Sequence, residues 1–279
     1  MMEITAIIAV SVIISRFLLH NIIKMLYNSD MKCKTVNYRG KAIPAIGGIV
    51  FIPILLVAVL LLLLSGLGNY YGYLGYLSLV VCMGFIGVID DLVGDKSIKG
   101  LIKHVSSTLK GRMTTGFLKA MIGLLASCLV SIGSTSTYAE FIVNVSVITL
   151  FANTLNLFDL RPGRAVKVFL LMSVVLLTGA KGRAEEAAPI IILGLAAGLY
   201  ISYDLKEICM LGDTGANILG ITLGYYSTLF LGFNMRLLLL GFLVFLNILS
   251  EKVSITEIIR SNRLLSYFDD MGRGQTGGK

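Results

Sequence analysis

Nine apolar runs recur along the chain, separated by short polar segments, and most are of bilayer-spanning length. They cover about 4–23, 46–65, 73–90, 116–133, 140–158, 166–179, 187–203, 215–232 and 236–250. Their Leu, Ile and Val residues come in blocks and do not alternate with polar ones, which argues against a transmembrane β-barrel. The sixth run is short and reads as tilted, re-entrant or paired with its neighbour. The pattern predicts an all-α fold, a polytopic membrane helix bundle of about nine transmembrane helices over 1–250. A tail, 251–279, follows. Ile255, Ile258, Ile259, Leu264 and Leu265 mark it as one amphipathic interfacial helix with a Gly-rich end.

Composition agrees with a membrane protein: 56% of residues are hydrophobic and 14% charged. The net charge of +8 does not need nucleic acid, because the basic residues lie between the apolar runs. Segments 24–45, 93–114, 159–165, 204–214 and 251–279 hold most of them, including Lys32, Lys34, Arg39, Lys41, Lys96, Lys99, Lys103, Lys110 and Arg112. The alternate segments 66–72, 134–139, 180–186 and 233–235 carry only Lys181 and Arg183. This asymmetry puts the N-terminus outside and the C-terminus in the cytoplasm. The first run lacks a small-residue cleavage site and is expected to be a retained helix. Cys33, Cys82, Cys128 and Cys209 form no C-x-x-C pair and read as buried thiols.

Polar residues at the edges of the runs then carry the chemistry. Ile89-Asp90-Asp91-Leu92, Asn153-Thr154-Leu155-Asn156-Leu157-Phe158-Asp159 and Leu211-Gly212-Asp213-Thr214-Gly215 all fall on the cytoplasmic side of this topology. A carboxylate at a bilayer edge is costly unless a cation or hydrogen-bond donors satisfy it. Asp90 and Asp91 point about 100° apart on a helix and suit different roles, although a solvated helix stop is the plain alternative. Asn153, Asn156 and Asp159 recur every three residues on one helix flank, facing a cavity or acting as interhelical glue. Arg161 and Arg164 bracket a turn and suit a diphosphate or lipid phosphate, or else only fix orientation. Asp213 either caps a helix or holds Mg²⁺ where a helix N-terminus favours an anion. Lys41, before Ile43-Pro44-Ala45-Ile46-Gly47-Gly48, either flanks the same site or sits in a plain turn.

In this order the motifs resemble the polyprenyl-phosphate N-acetylhexosamine-1-phosphate transferase superfamily, glycosyl transferase family 4, as a divergent subfamily. The similarity runs from about Lys41 to Gly220. Asp90-Asp91 look like the family's paired aspartates, Asn156 and Asp159 like its N-x-x-D element. Gly212-Asp213-Thr214-Gly215 resembles its G-D-[TA]-G element, and Pro44 to Gly48 its P-x-x-G-G segment. The resemblance implies transfer of a sugar-1-phosphate from a cytoplasmic nucleotide-diphosphate sugar to a membrane polyprenyl phosphate, with release of nucleoside monophosphate, in cell-envelope glycan synthesis. It implies Mg²⁺ (or Mn²⁺) on Asp213, Asp90 as base or positioner of the lipid phosphate, and Asp91, Asn156 and Asp159 as supports. Lys41, Asn153, Arg161 and Arg164 complete the expected substrate contacts. A bacterial cytoplasmic membrane location follows, and a homodimer is left open. The chain departs from the pattern at Leu160-Arg161-Pro162-Gly163-Arg164, where the family reads G-x-D/N-G-L, and it lacks the family's His-rich loop. Two other classes compete: a degenerate relative that binds polyprenyl phosphate or nucleotide-sugar as a scaffold, and an ion-coupled transporter. Polar residues clustered at one membrane edge disfavour the transporter.

Overall fold

A computed structural model describes residues 2–29, 33–37, 40–94, 107–108 and 111–273. Among these residues eleven α-helices follow in chain order: α1 (Met2–Asn28), α2 (Phe51–Leu64), α3 (Tyr70–Val93), α4 (Thr115–Ile132), α5 (Tyr138–Phe158), α6 (Arg164–Leu177), α7 (Ala184–Leu205), α8 (Gly212–Phe230), α9 (Phe233–Lys252), α10 (Ile255–Ser261) and α11 (Arg263–Asp270). A two-stranded antiparallel hairpin, β1 (Lys34–Val36) and β2 (Ala42–Pro44), pairs Thr35 with Ile43, and a 3₁₀ turn over Gly47–Val50 leads into α2. The hairpin was not anticipated. Lys32, Arg39, Lys96, Lys99, Lys103, Lys110 and the chain after Arg273 lie outside the described residues.

Several starts are capped by short polar side chains. Asn69 accepts from the Gly72 N–H, Thr114 from Phe117 and Thr137 from Glu140, each satisfying an orphan donor of a first turn. Among the described residues seven helical segments are long and apolar enough to cross a membrane: α1, the 3₁₀ turn with α2, α3, α4, α5, α7 and α9. The molecule is therefore a polytopic helix bundle. The other two apolar runs became α6 and α8, for different reasons. At 14 residues α6 is about 21 Å long, less than the roughly 30 Å of a hydrocarbon core.

In contrast α8 is long enough but polar, and it is the central helix. All but three of its 19 residues are buried. It packs most extensively on α5 and α3, so it needs no lipid-compatible surface. A Cβ at Gly220 would lie 2.6 Å from the Ala152 Cα, and one at Gly224 2.5 Å from the Ile148 Cα. Small residues thus let α8 and α5 touch backbone to backbone. The opposite case is α9, whose Leu237, Leu238, Phe242, Phe245 and Ile248 are exposed and form an outer apolar face.

The tail corrects one expectation. It is two short helices rather than one, because Asn262 ends α10 and caps α11, accepting from the Leu264 and Leu265 N–H groups. All four cysteines are free, but only Cys33 and Cys209 are buried; Cys82 is exposed on α3.

Candidate functional site

The site is assembled around the N-terminus of α8. Pro44, Gly47 and Gly48 clasp the approach to that helix: Met210 N–H donates to the Pro44 carbonyl (2.8 Å), while Gly47 and Gly48 N–H donate to the carbonyls of Met210 and Leu211 (2.9 Å each). A Cβ on Gly48 would sit 2.1 Å from the Gly215 Cα, so the two backbones meet only because both residues are glycine. Gly212 turns the chain into α8 at a φ of 73°, in the left-handed region that favours glycine. No side chain of its own segment caps α8.

That cap comes from α3. Asp91 Oδ1 accepts the Asp213 N–H at 2.8 Å, and its Oδ2 accepts the Thr214 N–H at 3.0 Å and the Thr214 hydroxyl at 2.6 Å. A carboxylate on the free amides of a helix start satisfies orphan donors and the positive end of the dipole together. Asp91 is thereby fully engaged, and it places the neighbouring Asp213.

Asp90, about 100° around the same helix, faces α4. The Lys119 ammonium lies 3.8 Å from Asp90 Oδ2 and donates to Asp213 Oδ1 at 2.7 Å, joining two carboxylates that are far apart in sequence. Lys119 was missed from the sequence. Its signal was available: a lone cation in the fourth apolar run is expensive in a membrane and marks a partner. Asp213 remains the more open carboxylate of that pair, its side chain 38% exposed.

Asp159 follows α5 as its C-cap and lies close to the Gly212 N–H, so it reaches the same helix entrance. Burial, and then the nearby Asp204, Asp213 and Asp91 carboxylates, push its pKa well above the ordinary carboxylate range. Asn156, one turn earlier, donates from Nδ2 to Asn217 Oδ1 (3.1 Å). Its own Oδ1 is buried and has no hydrogen-bond partner among the described residues. A buried acceptor left open costs free energy and points to a donor or cation supplied from outside the chain. Cys209, close by, is no competing nucleophile, since burial pushes its thiol pKa up to about 12.

Four other expected contacts are placed elsewhere. Asn153 donates to Asn247 Oδ1 of α9, and Asn247 in turn donates to Thr154 Oγ1 (3.0 Å). Three-residue steps fall 60° short of a full turn, so Asn153 has drifted about 120° from Asp159 around the helix axis. Lys41 lines a separate cavity of about 340 Å³ with His20, Lys24, Tyr27, Tyr203 and Lys206, and none of the four aspartates is in that lining. Arg164, only 3% exposed, grips Asp269 of α11 with Nε to Oδ1 (2.7 Å) and Nη2 to Oδ2 (2.8 Å). Arg161 lies 3.6 Å from the same carboxylate. These guanidiniums hold the tail in this structure.

Mg²⁺ typically takes one or two protein carboxylates and fills its shell with water and phosphate oxygens. Among the described residues no three His, Cys, Asp or Glu side chains form a ready cage. The open Asp213 carboxylate and the unpartnered Asn156 carbonyl are hard oxygen donors, and a sparse set of this kind fits an ion that arrives with a phosphorylated substrate.

Carboxylates and an ammonium gathered at one helix start are suited to holding a cation and a phosphate together. The sequence matches the description of glycosyl transferase family 4 over residues 73–231, from α3 to the end of α8, and the chain belongs to that family. Membership of that family supports, in general terms, polyprenyl-phosphate sugar-phosphate transfer. No curated protein matches the chain. The matched stretch contains Asp90, Asp91, Lys119, Asn156, Asp159 and Asp213, and leaves out the hairpin, α9 and the tail.

Proposed function

We propose that the chain transfers a sugar-1-phosphate, of N-acetylhexosamine type, from a nucleotide-diphosphate sugar to a polyprenyl phosphate with Mg²⁺ as cofactor. The observation that carries this reading is the Asp213–Lys119–Asp90 arrangement beside the unpartnered Asn156 carbonyl. A lipid phosphate oxygen attacks the sugar-bearing phosphorus of the donor, and the bond to the nucleotide phosphate breaks. The nucleotide leaves with that bridging oxygen as its monophosphate. Two anions must meet, so positioning and charge neutralisation supply most of the catalysis. A divalent cation would supply that neutralisation from Asp213, with the Asn156 carbonyl as a second oxygen.

Lys119 is poised between two carboxylates and moves onto a phosphate oxygen when substrate displaces Asp213 from it. Asp90, then released from part of its cation contact, orients the attacking lipid phosphate or takes its proton. Asp91 positions Asp213 by fixing the start of α8, and does so without touching substrate. Asp159 holds Gly212 from the other side. Counting α6 and α8 with the seven more apolar segments gives nine spans, with the site on the cytoplasmic face of a bacterial membrane and the N-terminus outside.

The test is purified protein with polyprenyl phosphate, Mg²⁺ and a panel of nucleotide-sugars, scored for nucleoside monophosphate. Release that needs both lipid and metal is the expected result. Binding of lipid or nucleotide-sugar with no release would replace this reading with that of a binding scaffold.

A further inference from the structure

The turn that follows Asp159 is held almost entirely by groups from elsewhere in the chain. Gly163, at a φ of 76°, gives its N–H to Asp204 Oδ2 of α7 at 2.8 Å. The Pro162 carbonyl accepts from Arg273 Nε at 3.0 Å. Arg164, the next residue, forks onto Asp269 and also reaches Thr256 Oγ1 of α10 at 3.0 Å. Arg273 closes the ring by donating to both oxygens of Asp269, at 2.8 and 3.0 Å. Lys167 adds three bonds to the carbonyls of Phe268, Asp269 and Met271. Leu205 supplies the packing beneath, since a Cβ on either Gly163 or Gly272 would run into its side chain.

Bidentate guanidinium–carboxylate pairs fix geometry as well as charge, and a buried one is costly to open. Here that geometry is spent on a turn one residue beyond Asp159, a carboxylate that lies close to the Gly212 N–H and to Asp213. Bonds therefore run from the tail to residues 162–164, and the chain itself carries that placement back to Asp159, beside the entrance of α8. The outer side of α11 is apolar, with Leu264, Tyr267, Phe268 and Met271 exposed, while Asp269 points inward at 6% exposure.

We propose that the C-terminal tail is a strap, and that Asp269, with Arg164 and Arg273, is a positioning residue that sets Asp159 and the α8 entrance for phosphoryl transfer. The idea rests on the proposed function for its catalytic half only. None of these three side chains touches substrate, and all act through the turn.

The experiment uses the full chain in lipid nanodiscs, comparing wild type with Asp269→Asn and Arg273→Ala. Arg273→Ala removes the bond to Pro162 while leaving the Arg164 fork intact, so it serves if the first variant folds poorly. Amide exchange at Gly163 and Gly212 should rise about tenfold or more, while exchange in the middle of α8 stays unchanged. Nucleoside monophosphate release should show kcat lower by about ten- to a hundredfold with the donor KM within about twofold, the mark of misplacement rather than lost binding. Faster exchange confined to 255–273, with Gly163 and Gly212 still protected, overturns the strap. A loosened turn with unchanged kcat overturns its positioning role. If the wild type turns over no nucleotide-sugar, the transferase reading fails on its own, and the exchange measurement alone decides the strap.

Discussion

Two charge clusters sit at the same end of the bundle and solve opposite problems. Around Asp269 three guanidiniums and a lysine meet two tail carboxylates, and the central pair of Arg164 and Asp269 is buried and doubly bonded. Around Asp213 the excess is negative: Asp90, Asp91, Asp159 and Asp213 converge, with Lys119 as the cation that pairs with two of them, and Asn156 Oδ1 stays unpartnered. A cluster that is complete within the chain reads as architecture. One that, among the described residues, is short of cations and keeps an open oxygen reads as a place where something else binds.

The largest effect should come from the second cluster. Asp213→Asn keeps the α8 cap, because Asp91 bonds the residue's backbone rather than its side chain. The variant should fold, with a loss of about 0.5 kcal/mol for an acid removed from a helix start. Monophosphate release should fall by about a hundred- to a thousandfold, as when one charge-stabilising group is removed from a preorganised site. Near-normal turnover in a folded Asp213→Asn protein would end the distinction between the clusters.

Arg164→Ala tests the complete cluster and reads in stability and, through the strap, in kcat. Removing the fork leaves Asp269 to Arg273 and Arg161, so the cost should be about 2 to 3 kcal/mol, that of hydrogen bonds to a charged group. Chemical denaturation in detergent measures it. The donor KM should not change. A raised KM with normal stability would mean that the guanidinium grips a phosphate after all.

The clusters should also respond to pH with opposite signs. Asp159 has a raised pKa in the folded state, so its contribution is favourable at low pH and is lost as pH rises through the folded value. Added Mg²⁺ should relieve the repulsion, raising Tm by about 2–4 °C near pH 8 and by less near pH 5.5. At Asp269 burial opposes the charge, yet hydrogen bonds from Arg164 and Arg273 outweigh it and hold the pKa down at about 2. That contribution is present above the unfolded value near 4 and disappears as pH falls toward 2. Tail protection from protease should survive from pH 8 to 5 and fail only in strong acid. A Tm gain that does not depend on pH would separate the metal from Asp159.

Some of this was legible in the sequence and some could not be. Long apolar runs gave the helices, because burying a membrane helix needs only length and hydrophobicity, and all nine runs became helices. The acidic motifs revealed which carboxylates come together, because a carboxylate at a membrane edge has few inexpensive homes. Which partner each found was not readable. Asp91 meets Thr214 and Arg164 meets Asp269 across 123 and 105 residues, and no local pattern encodes such pairings. Asp204 belongs to none of the sequence motifs, yet it holds Gly163 in place. Hydropathy also understated α8, since a helix enclosed by other helices can be polar and Gly-rich.

The smallest effect gives the finest comparison, between two asparagines on one helix. Asn153 shares an amide pair with Asn247, which also has Thr154 and the Leu243 carbonyl as partners. Asn153→Ala therefore removes one of several bonds between α5 and α9. Interhelical bonds of this kind are worth about 0.6 kcal/mol in membrane proteins. Turnover should be unchanged. Asn156→Ala removes one donor bond to Asn217 but also an acceptor that the protein itself leaves open, so stability should change by no more than about 1 kcal/mol while turnover drops well beyond that of Asn153→Ala. Paired measurements of denaturation and monophosphate release on the two variants decide it. Equal turnover losses would place both amides in the site, and equal stability losses with full turnover would make Asn156 interhelical glue like its neighbour.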